Sequence, residues 1–263
     1  MTQHSIAGFR RFLLAPLLSF ALLGTAQAGD AAARKVIGFS PDGAHFAFEH
    51  YTQLYDATEI VAEIQVIDTR TDDFAKGTPF SLRTRDDDER EVDAVRAELM
   101  AKVKPLLGRL GITEPGTRFA GKPSMDLDEI GIYQMDPKPL ATTQAITLPD
   151  GRKLTLTLSD QALGKASCYG AGGRSTFGSV IVTGMTLQLS IDGAVPVTLA
   201  QDKQLPKRRR CVTAFGIAEA YHHLAKDGTQ TLAVLIETVD AHEFHAGPNR
   251  RFMAVTTRLP ASR

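Results

Sequence analysis

Net charge is what this chain has least of. Its 263 residues carry 30 basic and 30 acidic side chains. A balance this even argues against general nucleic-acid binding and against steering to anionic membranes. Cysteine is almost as scarce, with only Cys168 and Cys211. Two cysteines in an oxidising compartment read first as one disulfide, worth about 4 kcal/mol on the chain-entropy account. The competing reading of Cys168, a catalytic thiol, needs a neighbouring base and protection from oxidation. Long apolar runs are confined to the N-terminus. No later segment approaches the roughly 18 apolar residues of a membrane span, so the mature chain is expected to be soluble.

Catalytic signatures are missing as well. No G-x-S-x-G nucleophile elbow occurs. "GKASCYGAGGRSTFG" is rich in glycine but lacks the Gly-Lys-Ser/Thr ending of a phosphate loop. In "DLDEIG", Asp126, Asp128 and Gly131 suit a calcium loop, yet Ile130 and Pro137 occupy positions that need oxygen ligands. Carboxylate pairs for glycoside hydrolysis are recognised by distance in space and stay open. No cofactor is implied, and the sequence leans away from an enzyme.

What is present begins with an export signal. Arg10 and Arg11 precede the apolar "FLLAPLLSFALLG", and Ala26 to Ala28 offer small residues for cleavage. This predicts a signal peptide over 1–28 and one mature β-rich domain over 29–263, periplasmic or secreted. Gly29, not a cysteine, stands directly after the cleavage point, which disfavours a lipid anchor. The signal peptide holds two basic residues and no acidic ones, so the mature chain keeps 28 against 30, near −2.

Most of the mature chain alternates with period two. "IVAEIQVID" sets Ile60, Ala62, Ile64 and Val66 against Glu63 and Gln65. "LTLTL" sets Leu154, Leu156 and Leu158 against Thr155 and Thr157, and "MTLQLSI" behaves likewise. Such alternation predicts antiparallel sheets wetted on one face. "TLAVLI" is apolar on both faces and reads as a central strand, with "RFMAVTTR" returning beside it. Asp-Gly at 42, 150 and 192 predicts hairpin turns. Two helices are expected. The first spans about 85–110, with Asp86 to Glu89 at its start, a stripe through Val92, Val95, Leu99, Val103, Leu106 and Leu110, and Pro105 kinking or ending it. The second runs from about Ala214 to Lys226, with Thr213 as N-cap and Gly228 as C-terminal cap. The predicted class is mostly β (α+β), antiparallel sheets packed as a sandwich with two helices and one disulfide. A small β-propeller is the alternative.

Candidate sites are few. Lys207, Arg208, Arg209 and Arg210, with Gly172, Gly173 and Arg174 of the glycine-rich loop, form a candidate surface for an anionic ligand or envelope component. His242 and His245 are the candidate metal ligands; His222 and His223 on the second helix would splay toward solvent. The leading functional reading is a non-catalytic binding or envelope-associated module, and a periplasmic hydrolase, metal-assisted through His242 and His245, is the alternative.

Two resemblances bear on this. "FSPDGAHFAF" with "AEIQVIDTRTD" resembles one blade of a TolB-like or WD-type propeller. Over the whole chain, the signal peptide, "GFSPDG", "EIQVIDT", a mid-chain helix, "SCYGAGG" and "GPNRRFMAVT" resemble a bacterial family of predicted secreted proteins with a domain of unknown function. That resemblance implies export and a β-rich fold, and it carries no activity and no catalytic residues. In the phrase "VIGFSPDGAHFAFEHY", the turn accounts for Asp42 and Gly43 and a core face for Phe46 and Phe48; Glu49, on the opposite face, is left without a role.

Overall fold

The computed structural model describes residues 31–54, 59–85, 87–119, 121, 125, 141–167, 179–204, 212–240 and 249–261. Among these residues three antiparallel sheets and one helix emerge. The first sheet joins β1 (Ala33–Phe39), β2 (His45–Gln53) and β3 (Ile60–Asp68), with short β4 (Asp73–Phe74) and β5 (Phe80–Arg83) both on the far side of β3. Then follow α1 (Val92–Leu110) and β6 (Thr117–Phe119). The second sheet runs in the order β10-β9-β8-β7, from β7 (Ala141–Thr147), β8 (Lys153–Ser167), β9 (Ser179–Ile191) and β10 (Val197–Gln201). The third, in the order β13-β12-β11-β6, adds β11 (Val212–Leu224), β12 (Gln230–Asp240) and β13 (Asn249–Leu259).

The third sheet is central because its strands are apolar on both faces. Leu232, Val234 and Ile236 of β12 pack with Leu154, Leu156, Leu158, Met185 and Leu187 of the second sheet. Ala233 and Leu235, on the other face, pack with Phe39, Phe46 and Phe48 of the first sheet and with Tyr221 and Phe252. The first sheet's far face, Ile60, Ala62, Ile64 and Val66, is covered by Val95, Leu99, Val103, Leu106 and Leu107 of α1. The central sheet thus buries one face against the second sheet and the other against the first, whose far face is closed by α1. The blade-like phrase forms β1 to β3, and Ser-Pro-Asp-Gly is the β1–β2 turn.

The second sheet bears out the alternation of its strands. Its inner residues are buried, and its outer face presents the other register: Thr143, Thr157, Gln188 and Thr198 lie in one row across four strands, flanked by the pairs Ser159–Thr186 and Thr155–Ser190.

The second expected helix is a strand. Residues 212–224 pair with β12 along their length and are buried almost throughout. A β-bulge between Ile217 and Glu219 explains the misreading. It slips the alternation, so that one face takes Phe215, Ile217 and Ala220 and the other Ala218 and Tyr221. Steps of three then appear in a strand and imitate a helical stripe. Thr213 donates to the Val239 carbonyl (3.2 Å) instead of capping, and Gly228 sits in the β11–β12 turn at φ +86°. Helix α1 starts only at Val92, after the acidic run, and Asp88 pairs with Arg90. Pro105 lies inside α1 on its exposed side, and the helix ends at left-handed Gly111, whose N–H reaches the Gly108 carbonyl while Ile112 N–H reaches Leu107.

Candidate functional site

Two sets of contacts fix the direction of the stacked sheets. At one pole, the Arg152 guanidinium donates to Gln230 Oε1 (2.5 Å) and to the Pro260 carbonyl (2.7 Å), joining the β7–β8 turn to the central sheet. The Gly43 carbonyl accepts from Thr231 (3.1 Å) and Thr69 (2.6 Å), which docks the β1–β2 turn at the same pole. Gly43 must be glycine there: φ is +65°, and a Cβ would sit 2.6 Å from the Thr231 hydroxyl. Asp192 accepts from Lys153 N–H (2.8 Å), and the Asp227-Gly228 turn links β11 to β12. All four Asp-Gly turns thus gather at one pole.

At the other pole, Thr183 donates to the Thr213 carbonyl (3.1 Å), and the bridge between Ala31 and Arg250 brings in the first strand. Here end the strands that flank three of the sequence-predicted segments: Ser167 and Ser179, Val212, and Asp240 and Asn249. Cys168, Gly172, Gly173, Arg174, Lys207, Arg208, Arg209, Arg210, Cys211, His242 and His245 themselves lie outside the described residues.

Between the first and central sheets, from mid-strand toward this second pole, runs charge that sequence reading missed. Glu219 Oε1 accepts from Arg34 (3.1 Å) and Arg118 (2.5 Å), and Oε2 from the Tyr221 hydroxyl (2.8 Å). The Arg34 guanidinium lies 4.8 Å over the Phe252 ring, and its Nε is buried without a partner. Burial opposes ionisation of Glu219, but Tyr221 and the two arginines hold its carboxyl below the ordinary range. Burial, reinforced by Glu219, pushes the Tyr221 phenol up to about 12. One strand over, Glu237 pairs with Arg250 and accepts from Met125 N–H (3.1 Å), and Arg250 donates to the Met125 carbonyl (2.6 Å). Gly121 makes this close approach feasible, since a Cβ there would overlap the Ala218 carbonyl.

On the first sheet, His50 Nε2 stands 3.4 Å from Glu63, in ion-pair range but off hydrogen-bond geometry. Glu63 also accepts from Gln65 (2.6 Å), and despite burial these partners keep its carboxyl below the usual range. The expected wet face of β3 is thus largely turned inward, with Gln65 buried. Glu49 finds its role against the helix: Arg96 grips both its oxygens at 2.9 Å while stacking 3.7 Å over Tyr51. A cleft of about 220 Å³ beside this pair is lined by Lys35, Glu49, Asp93, Arg96, Ala97 and Met100.

The two histidines expected to splay into solvent are buried. His222 bonds Gln230 (2.9 Å), and burial lowers its pKa; His223 stacks on Phe39 at 5.2 Å and reaches the Pro41 carbonyl. Both serve the turn pole. Among the described residues, no cluster of three or more metal-ligating side chains occurs.

One carboxyl stands apart. Asp160 of β8 faces the central sheet, takes the Phe215 backbone N–H, and has a buried Oδ1 with no partner. Burial without a cation pushes it up to about 7. Glu219 and Glu237, by contrast, are each paired with arginine.

Signals for the missed residues did exist. Glu219 and Glu237 interrupt the apolar runs "FGIAEAY" and "AVLIETV", and a charge inside a two-sided buried strand demands a partner.

No curated protein and no solved structure matches the chain. A family model does match, over residues 47–258, and its description, predicted secreted protein, agrees with the export expected from the N-terminal sequence. No helix among the described residues is long and apolar enough to cross a membrane. The chain belongs to that family of predicted secreted proteins, DUF2259.

Proposed function

We propose that this chain is a non-catalytic binding module of the periplasm, built on a sandwich-type stack of sheets. Its contact surface is the pole opposite the Asp-Gly turns. The observation that carries the reading is the gathering of strand ends there: the chain enters and leaves 168–178, enters β11 from 205–211, and enters and leaves 241–248 at one end of the sheets. Stacked sheets commonly bind through loops clustered at one end, because a rigid scaffold can position them without building the site into the core. The glycine-rich segment with Arg174 and the run Lys207 to Arg210 belong to segments that join the sheets at this end, and their cations suit an anionic envelope component.

The fold supports this reading in a second way. Glu219, Glu237, Arg34, Arg118 and Arg250 are already paired with one another, so they brace the sheets and leave recognition to other charges. The test is binding of the mature chain to vesicles with and without anionic phospholipid, and to an acidic polysaccharide. We expect salt-sensitive binding to at least one anionic probe, lost when Lys207 to Arg210 are all replaced by Ala. Failure to bind any anionic probe, or equal binding by the quadruple variant, would overturn it.

A further inference from the structure

A second surface, remote from that pole in chemistry, is the outer face of the sheet β10-β9-β8-β7. In a chain that is 23% charged, its three central rows carry no charge at all. The middle row runs Thr143–Thr157–Gln188–Thr198, with hydroxyl residues in the rows on either side. Lys153 stands only at the turn margin, paired in register with Thr147. Thr143, Thr157, Gln188 and Thr198 make no side-chain hydrogen bond among the described residues.

We propose that this face binds an uncharged, hydroxyl-rich polysaccharide. Each Thr offers one donor, two acceptors and a methyl group, and each Gln amide offers two donors and an acceptor. The register repeats them about 4.8 Å apart across strands and about 7 Å apart along them. A neutral polyol can exchange its water hydrogen bonds for these one for one and lay its C–H surface on the methyls. A charged ligand would surrender hydration here with no opposite charge to receive it, and an apolar partner would bury the hydroxyls unpaired. A second copy of the same face offers hydroxyls to hydroxyls without the flexible reach that pairing them needs. The absence of charge therefore selects a neutral partner, and the hydroxyl density selects a polyol.

This surface is independent of the anion-binding pole. The experiment is retention of the mature chain on insoluble cellulose and chitin at low and high salt. Thr157→Lys and Gln188→Lys place a charge in the middle row, and Thr157→Val removes the hydroxyl while keeping shape and strand propensity. We expect salt-insensitive retention on at least one polysaccharide. Each Lys variant should weaken it by about tenfold or more, the Val variant less, and the Lys207 to Arg210 replacement not at all. Thermal unfolding of each variant confirms that the sheet is intact, and Thr157→Val carries the test if the Lys variants do not fold. Retention on neither polysaccharide, retention unchanged in both the folded Lys variants and Thr157→Val, or binding only to an acidic polysaccharide overturns the proposal. So does a concentration-dependent dimer that Thr157→Lys dissolves, which would assign the face to a second copy.

Discussion

The central sheet buries its two faces by opposite means. Toward the second sheet it meets leucines and methionine, a dry interface of Leu154, Leu156, Leu158, Met185 and Leu187 against Leu232, Val234 and Ile236. Toward the first sheet it meets phenylalanines at the turn pole and, from mid-strand onward, Glu219, Glu237, Arg34, Arg118 and Arg250. The aliphatic interface is held by area and shape, which are tolerant of exchange among similar side chains. The charged one is held by ion pairing, and the loss of a single partner is expected to cost it more. The same strands thus sit between a forgiving neighbour and an exacting one, and the exacting end underlies the pole assigned to binding.

The largest effect should come from breaking a charge pair. Glu237→Ala leaves Arg250 buried without its carboxylate and frees Met125 N–H, and is expected to destabilise by about 3–5 kcal/mol. Replacing both partners, Glu237→Leu with Arg250→Met, should restore most of that loss, because an apolar pair leaves no orphaned charge. Denaturant unfolding of the single and double variants reads both. A double variant as unstable as the single one would mean that the cluster works through something other than pairing.

The aliphatic side should respond less, and in a different manner. Leu156→Ala opens a cavity at a fully buried site and is expected to cost about 3 kcal/mol. Leu156→Met keeps the volume and should cost less than about 1.5 kcal/mol. The comparison fails if Leu156→Met proves as damaging as Leu156→Ala under the same denaturant measurement, for the interface would then be as exacting as the charged one.

This contrast was only half legible in the sequence. Where a strand keeps period two, as through Leu154–Leu156–Leu158, its inner and outer faces are readable, because the alternation of side chains has no other cause. Residues 212–224 were misread since a bulge breaks that period, and a bulge is set by pairing with β12, which a single strand's residues do not disclose. Pro105 was expected to kink α1 or end it early, yet the helix runs past it to Leu110, with Pro105 on the exposed side. The ionic cluster was invisible for a further reason. Arg34 and Glu219 are far apart in the chain, and their partnership arises only when two sheets stack. Glu49 belongs to the same class: its partner Arg96 comes from the helix laid across the sheet. The candidate surface residues were legible as types, while only the described strand ends Ser167, Ser179, Val212, Asp240 and Asn249 show that their segments join the sheets at one end.

Asp160 is the exception that sharpens the comparison, since it puts a carboxyl on the aliphatic side without the pairing found on the other. Its folded pKa is raised to about 7, against roughly 4 in the unfolded chain. Between those values the folded state keeps a proton that the unfolded state has released. Stability from this group is therefore fully present below about pH 4 and is lost as pH rises through about 7. Asp160→Asn cannot ionise and still offers an oxygen to the Phe215 N–H, so it should lack this slope. At pH 8 the variant is expected to be the more stable by about 1–3 kcal/mol, with the gap closing toward pH 4. Carboxylates held low elsewhere, Glu63 and Glu219 among them, tilt stability the opposite way in acid, but they are common to both proteins and cancel in the difference. Paired denaturation curves across pH 4–8 therefore isolate one side chain. A wild-type and variant difference that stays constant with pH would show that Asp160 is ionised throughout. The aliphatic interface would then have to hold a counter-charge, and the distinction between the two faces of the central sheet would be one of degree.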